Sequence, residues 1–395
     1  MAAEAVIVDV IRTPSGRGKP GGALSDIHPA DLLAGVLVEL LHRNGLDPAL
    51  VDDVIGGCVT QAGEQAGNIT RTAVLSAGFP ESVPGVTIDR QCGSSQQAAA
   101  FAAQGVIAGA YDIVIACGVE SMSRAPMGSN VGGASIGGAL LTHRYPDGLV
   151  NQGVSAELIA EQWGFPRTEL DDFAARSHAL AASAASSGAF DGELVPVPTP
   201  DSGSVMADET IRPGTTPDAL AALKPSFRTE ALAERFPQLD WRITPGNSSP
   251  LTDGASAALI MSAEAAERLG LRPRARFHSF AVAGSDPLLM LTGVLPATRK
   301  VLDRSGLRLD EIDAYEVNEA FAPIPLLWQR EFDTDPAKLN PHGGAIALGH
   351  ALGSSGTRLL ATLLSELEAS GGRYGLQTMC EGGGTANATI IEVLR

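Results

Sequence analysis

Apolar positions along this chain fall into short runs and longer ones. Val6 to Val10, inside AVIVDVIR, is a short apolar run bounded by turn residues, which predicts a buried strand. The stretch after Cys92, SSQQAAAFAAQGVIAGA, is apolar or small on every face, which predicts a helix buried on all sides. Near the other end, TRLLATLLSEL starts in the same way but carries more polar residues. Strands alternate with helices in both end regions, the pattern of an α/β unit. Residues 121–250 differ: Gly, Pro and Ser punctuate them in APMGSNVGGASIGG, VPVPTPDSG and TPGNSSP, around one clear helix from Leu170 to Ala185. That texture predicts a loop-rich insertion, and large insertions of this kind often carry function.

The two ends are related to each other. LLHRNGLDPALVDDV (40–54) matches VLDRSGLRLDEIDAY (301–315) at an offset of 261, placing Arg43, Gly45, Leu46 and Asp52 on Arg304, Gly306, Leu307 and Asp313. Each copy reads as a helix ended near its Gly, a turn, then a strand. Gly93-Ser94-Ser95 falls on Gly353-Ser354-Ser355 at 260, which makes Leu352 the counterpart of Cys92, and IACG (115–118) parallels TMCE (378–381) at 263. Three collinear matches predict duplicated halves.

Composition narrows the function classes. A net charge of −17, from 45 acidic and 28 basic side chains, is the wrong balance for nucleic acid. The insertion, with nine Lys/Arg against fifteen Asp/Glu, has no basic field either, so a phosphate-bearing ligand must meet a few placed cations. No run approaches the roughly 18 apolar residues of a membrane span. The start, MAAEAVIVDVIRTP, lacks the basic and apolar regions of a secretory signal. The four cysteines, Cys58, Cys92, Cys117 and Cys380, are far apart and form no CxxC pair, which suggests thiols in a reducing cytoplasm.

Four segments could carry chemistry. In IDRQCGSSQQAAA a strand ends, Cys92 follows and a helix begins, so the thiol is expected to feel the positive end of the helix dipole and have a lowered pKa. The alternative is a buried Cys acting as a small hydrophobe. In NPHGGAIALGHALGSSG, His350 precedes a helix; packing about a pseudo-twofold would bring it to Cys92 as the base a thiol needs. His342, in the same loop, is the decoy. MCEGGGTANATI sets Cys380 before three glycines that can turn N–H groups toward an oxyanion, or simply make a tight turn. In YEVNEAFAP, Asn318 and Glu319 end a strand, where an amide can hold a water, polarise a carbonyl or cap a helix. Gly16-x-Gly18-x-x-Gly21 fits a dinucleotide pattern, but Lys19-Pro20-Gly21-Gly22 cannot open a helix. There is no GxSxG elbow, and no His/Cys pair has metal-ligand spacing.

Taken together, VDVIRTPSGR, the CGSS turn, NEAFA, GGAIALGH and CEGGG resemble the thiolase family in order and spacing, over essentially the whole chain. The resemblance implies an α/β fold of five layers, α-β-α-β-α, from two pseudo-twofold-related halves: residues 1–120 completed by 251–273, and 274–395. Residues 121–250 would be an inserted, CoA-binding loop domain. It implies that Cys92 takes the acyl group, that His350 activates it and steadies a thioester enolate, and that Cys380 is the acid/base at the acetyl methyl carbon. Asn318 would hold a water in a first oxyanion hole with His350, and the N–H groups of Cys92 and Gly382 would form a second. Arg212 matches a position near the CoA nucleotide, and Ser249 one at the pantetheine. No cofactor is implied beyond CoA as substrate, and a homodimer or homotetramer is expected. The sequence departs from the family at Ala351, where Pro is usual, and in GGGTANA, where GGGQG is commoner. Asn151 stands where acetoacetyl-specific members usually carry His, which points to the degradative branch. The alternatives are an acetoacetyl-specific thiolase, a ketoacyl synthase (one Cys with two His, whereas here the terminal position is Cys380), or a non-catalytic lipid carrier or scaffold on this fold.

Overall fold

The structure, a computed structural model, describes residues 4–199 and 203–395. The first three residues and part of VPVPTPDSG therefore lie outside the described residues. The elements that position the site are, in chain order, strand β1 (Ala5–Arg12), helices α1 (Pro29–Asn44) and α2 (Ile69–Ser76) flanking β2 (Asp53–Gly57), and β3 (Val86–Ile88). Then come α3 (Ser94–Ile107), β4 (Ile113–Ser121), α4 (Gln152–Gln162), α5 (Arg167–Ser187), β5 (Thr252–Ser262) and β6 (Ala275–Gly284). The chain closes with α6 (Val294–Ser305), β7 (Ala314–Val317), α7 (Pro323–Phe332), the one-turn α8 (Ala345–Leu348), α9 (Ser355–Ser370), β8 (Tyr374–Glu381) and β9 (Thr385–Val393).

Period-two alternation decides which side chains each strand sends to which face. On β4, Ile113, Ile115, Cys117 and Val119 join the core under α1 and α2, while Val114 and Ala116 join the core that holds α3 and α9. On β5, Ala257, Leu259 and Met261 go outward and Ala258 and Ile260 inward. The second half repeats the scheme, with Ala386, Ala388 and Ile390 of β9 packed in the core of α6 and α7 and Ile391 on the inner side. Helices, sheet, the α3/α9 pair, sheet and helices thus form five layers. The first sheet runs β3-β2-β4-β5-β1 and the second β7-β8-β9-β6; they touch along one edge, where Val6 and Ile7 face Arg276 and Ala275.

The duplication holds in detail. Each copy of the 40–54 and 301–315 match is a helix closed by a left-handed Gly (Gly45, φ 57°; Gly306, φ 71°), a single 3-10 turn and a strand. Glycine is needed there because a Cβ would clash at positive φ. Three pairs of equivalent elements start 261 residues apart, at 53 and 314, 94 and 355, and 113 and 374. Strand pairing agrees, with Asp53 opposite Val114 and Ala314 opposite Gly375. Two of the sequence matches are therefore out of register. The counterpart of Cys92 is Gly353, not Leu352, and Cys117 corresponds to Thr378, not Cys380. Short motifs rich in Gly and Ser align by composition, whereas helix caps and strand pairing fix the true register.

The insertion leaves β4 at its end and returns at β5, which pairs with β4 along its length. It is more helical than its Gly/Pro texture predicts, since α4 precedes α5. Arg12 ties it to the core: Nε donates to Glu193 (2.6 Å) and Nη1 to Asp208 (2.7 Å), all three side chains buried. The expectation for α3 is half right. Its first turns are buried, but Phe101 and Ile107 on its later turns are 42% and 38% exposed. Among the described residues no helix is long and apolar enough to cross a membrane.

The two central helices cross near their N-termini, and the crossing depends on one glycine. A Cβ on Gly356 would overlap the backbone N of Gln96. Gly356→Ala is expected to cost about 3 kcal/mol or more, because neither backbone can retreat from a packed layer. Thermal unfolding of the variant checks this, and an unchanged Tm would contradict it.

Candidate active site

Cys92 sits on a tight turn between β3 and α3. Gln91, just before it, holds φ at +50°, an unusual value for a residue with a Cβ. The turn is pinned from several sides: Asp89 Oδ1 accepts from Gln91 N (2.7 Å), Ser94 Oγ donates to Gln91 O (2.6 Å), and Gly93 N donates to Arg90 O (3.1 Å). The Cys92 side chain is buried against Val59, Met122, Leu352, Leu359 and Met379. The cluster thus joins Cys92 to Leu352 and Met379, neighbours of His350 and Cys380, which lie far away in sequence. A Cβ on Gly382 would come within 2.8 Å of Oε1 of Gln91, so the segment after Cys380 lies against the turn that carries Cys92.

His350 is held from every side. Its backbone N donates to Thr252 Oγ1 (2.9 Å). Ser355 Oγ lies 2.7 Å from Ala351 O, which takes the one hydroxyl proton. The same oxygen, 2.6 Å from Nδ1, then accepts from the ring N–H. Nε2 is left as the basic nitrogen, with Nδ2 of Asn318 donating to it at 3.3 Å. Asn318 Oδ1 is buried with no partner among the described residues, an acceptor available to a ligand or water. Ala351, in place of the usual Pro, supplies the carbonyl that orients Ser355.

Buried carboxylates secure the loops around these groups. Glu120 accepts from Val59 N, Thr60 N and Gly353 N, each at 2.9 Å, joining the loop after β2 to the loop carrying His350. Glu319 accepts from Ser177 Oγ of α5 (2.6 Å), Asn340 Nδ2 (2.9 Å) and Ile346 N (3.2 Å), so the Glu of NEAFA anchors the GGAIALGH segment. Neither the N–H of Cys92 nor that of Gly382 meets a carbonyl partner among the described residues. Ser249 donates to Ala320 O through its N–H (3.0 Å) and its hydroxyl (3.2 Å), beside the NEAFA turn. Arg212 stands apart: its backbone N donates to His178 Nδ1 (3.2 Å), while its side chain is exposed. His342 pairs with Glu366 at 3.0 Å, a structural role for the decoy.

The electrostatics correct one expectation and add a residue. Burial pushes the Cys92 thiol up to about 12, offset in part by the Gln152 carboxamide and the backbone N–H. Desolvation thus outweighs the helix dipole, which acts strongly only on a thiol that water still reaches. Burial, with Arg358 behind it, takes His350 down to about 3, and burial raises Cys380 well above the usual thiol range. The three groups themselves are uncharged: thiol, imidazole, thiol. Asn151 is exposed and caps α4 by accepting from Val154 N (3.0 Å). Its neighbour Gln152 is the residue that faces Cys92, and its amide nitrogen lies 3.3 Å from where a Cβ on Gly382 would be. Sequence reasoning missed Gln152, although its place at the first turn of a helix capped by Asn151 could have found it.

Comparison with known proteins gives a consistent answer. Residues 5–264 match the family model described as thiolase, N-terminal domain, and residues 271–393 match thiolase, C-terminal domain. A steroid 3-ketoacyl-CoA thiolase of Mycobacterium tuberculosis is 49% identical over 99% of this chain and 94% of its own length. A 3-ketoacyl-CoA thiolase of Bacillus subtilis is 40% identical, covering 99% of each chain. The crystal structure of the Bacillus anthracis acetyl-CoA acetyltransferase superposes with a TM-score of 0.88 at 38% identity, covering 100% of this chain and 99% of that one.

With its pKa at about 3, His350 is expected to stay neutral from about pH 8 to about pH 5, where an unfolded His would gain a proton. The sign follows: below about 6.5 the unfolded chain binds a proton that the folded site refuses, so this group's contribution to stability falls with falling pH. Histidine NMR of the folded protein should show the His350 ring shifts flat over that range. A titration midpoint near 6.5 would contradict it.

Proposed function

The chain belongs to the thiolase family, and on that premise we propose which of its residues carry the family's reaction. It is an acyltransferase, moving an acyl group between a 3-oxoacyl-CoA and CoA through an acyl-cysteine intermediate. In the cleavage direction, Nε2 of His350 takes the Cys92 proton as the sulfur attacks C3 of the substrate. Because the thiol is held near 12 and the imidazole near 3, the transfer is uphill in the empty site and is coupled to attack. The N–H groups of Cys92 and Gly382 receive the oxyanion that forms at C3. The C2–C3 bond then breaks, and the leaving acetyl-CoA enolate is met by the new Nε2–H of His350 and by a water held on Asn318. Cys380 delivers a proton to the enolate carbon. CoA enters and gives its thiol proton to the Cys380 thiolate as its sulfur attacks the acyl-Cys92; the C–S bond to Cys92 breaks, the Cys92 sulfur takes back its proton from His350, and the shortened acyl-CoA departs. Only CoA is needed, as a substrate. The observation that carries this reading is the buried cluster that Cys92 shares with Leu352 of the His350 loop and with Met379, next to Cys380.

The remainder is part of the same proposal. The halves are residues 1–120 with 251–273 and residues 274–395, and the loop domain 121–250 holds CoA, with Ser249 at the pantetheine and exposed Arg212 at a phosphate. The degradative direction, on acyl groups longer than acetoacetyl, is supported by the names of the relatives at 40–49% identity. A homodimer or homotetramer is supported by the free outer edge of β3, where Val86 is 41% exposed, and by Phe101 and Ile107 on α3. Four free thiols, two of them in the reaction, support a reducing compartment, the cytoplasm.

Incubation with acetoacetyl-CoA should leave an acetyl group on Cys92 in peptide mass spectrometry; stoichiometric acylation elsewhere, with Cys92 free in an active sample, would overturn the assignment. Cys380→Ala should still accept acetyl at Cys92 yet lose carbon–carbon cleavage and methyl proton exchange by about 100-fold or more, the scale of a lost acid/base. Equal loss of acylation and exchange would make Cys380 structural. Across 3-oxoacyl-CoA substrates, six-carbon and longer chains should match or exceed the four-carbon kcat/KM, with graded steps, since a methylene is worth about 1–3 kcal/mol in an apolar pocket. Cleavage of the four-carbon substrate alone would make the enzyme acetoacetyl-specific.

A further inference from the structure

Glu381 follows Cys380 on β8, and the reaction above does not use it. Its carboxyl is fully buried. Because neighbours on a strand point to opposite faces, it turns away from the Cys380 thiol and lies under the turn that carries Cys92. A Cβ on Gly93 would overlap Oε1 of Glu381 and come within 2.7 Å of Asn387 Nδ2, so only glycine lets the nucleophile turn rest on this carboxyl. Asn387 Nδ2 donates to Gly93 O (3.0 Å), fixing the turn from the same side. Among the described residues the carboxyl has one hydrogen bond, from Thr385 Oγ1 to Oε2 (2.7 Å), and Oε1 has no partner. A buried carboxylate ordinarily collects several donors, and one with a single hydroxyl is better kept as the neutral acid.

We propose that Glu381 is a positioning residue for the nucleophile and works as a charge gate: with its proton in place Cys92 can ionise, and with the proton lost the carboxylate under Gly93 holds the thiol proton on sulfur. The proposal rests on the reading of Cys92 as nucleophile. It needs no co-reactant, since the gate opens and closes by exchanging one proton with solvent. Burial takes Glu381 up to about 7, with Thr385 and Arg90 pulling it back and Asp89 adding to the rise. In turn its charge raises both Cys92 and Cys380. The ionisable groups around it are therefore Asp89, Arg90 and Cys92 from the β3–α3 turn, with the Cys380 thiol on the opposite face of its own strand; among the described residues β9 contributes the neutral Thr385 and Asn387. Two negative charges cannot share this dry space cheaply, so the carboxylate and the thiolate exclude each other.

The test is the alkylation rate of Cys92 by iodoacetamide against pH, followed by peptide mass spectrometry, in the full-length protein and in Glu381→Gln. At about pH 6 the wild-type carboxyl is neutral and the two rates should agree. At about pH 8.5 the variant should react about tenfold faster, one pKa unit of relief for the thiol. A second readout is stability. A carboxyl with a raised pKa makes folding less favourable as pH rises from about 4.5 to about 7, so the variant's Tm advantage should grow over that range and then level off. If Glu381→Gln does not fold, Thr385→Val serves instead: losing its hydrogen bond raises the carboxyl further, and the break in the wild-type alkylation profile should move to higher pH. A rate ratio that is the same at every pH, or an unmoved break in Thr385→Val, overturns the gate. Absence of an acetyl adduct on Cys92 in the wild type instead overturns the assignment of the nucleophile, so the two failures are distinguishable.

Discussion

Two buried helices meeting backbone to backbone hold this molecule together. At the crossing of α3 and α9, Gly356 leaves no space between itself and the N of Gln96. Ser95 Oγ accepts from Thr357 N (3.1 Å) across the same contact, and Gln377 Nε2 bridges Gln96 Oε1 (3.1 Å) and Gly356 O (2.7 Å). Each helix also packs against strands of both halves. Because the halves are duplicates, the N-termini of the two helices arrive at the same place, and the turn before each helix carries residues of the candidate site. Cys92 comes from one half and His350 from the other. Glycines at 57, 118 and 353 continue the close approach, so the His350 loop lies directly on the ends of β2 and β4.

Dryness follows from that packing, and it sets the electrostatic character of the site. A thiol at a helix start in water would be partly ionised; here burial reverses the shift. Cys92, His350 and Cys380 are thus held in their uncharged forms. The same dryness makes nearby carboxyls consequential. Glu120 and Glu319, with three or more donors each, serve as rigid connectors between loops. Glu381, with one donor, is the carboxyl whose proton has most reason to stay or leave with conditions.

Much of this was legible in the chain. Alternating apolar residues gave the strands their faces, and small residues throughout the start of α3 marked it as buried. The repeat predicted two halves, and CGSS, NEAFA, GGAIALGH and CEGGG named the segments that converge. Register was not legible. Gly353 and Leu352 compete as the partner of Cys92 in an alignment of Gly and Ser, and only caps and strand pairs decide. Asn151 drew attention by its position in the family pattern, yet it caps a helix while Gln152 faces the sulfur.

By itself the sequence determined the fold class, the duplication and the residue types of the candidate site, because those depend on local periodicity and residue type. Tertiary structure alone decided the protonation of those groups, the tautomer of His350 and the burial of Glu381 under Gly93. The physical reason is that these depend on desolvation and on partners hundreds of residues away, such as Asn387 against Gly93. No local pattern records how much water a side chain will lose.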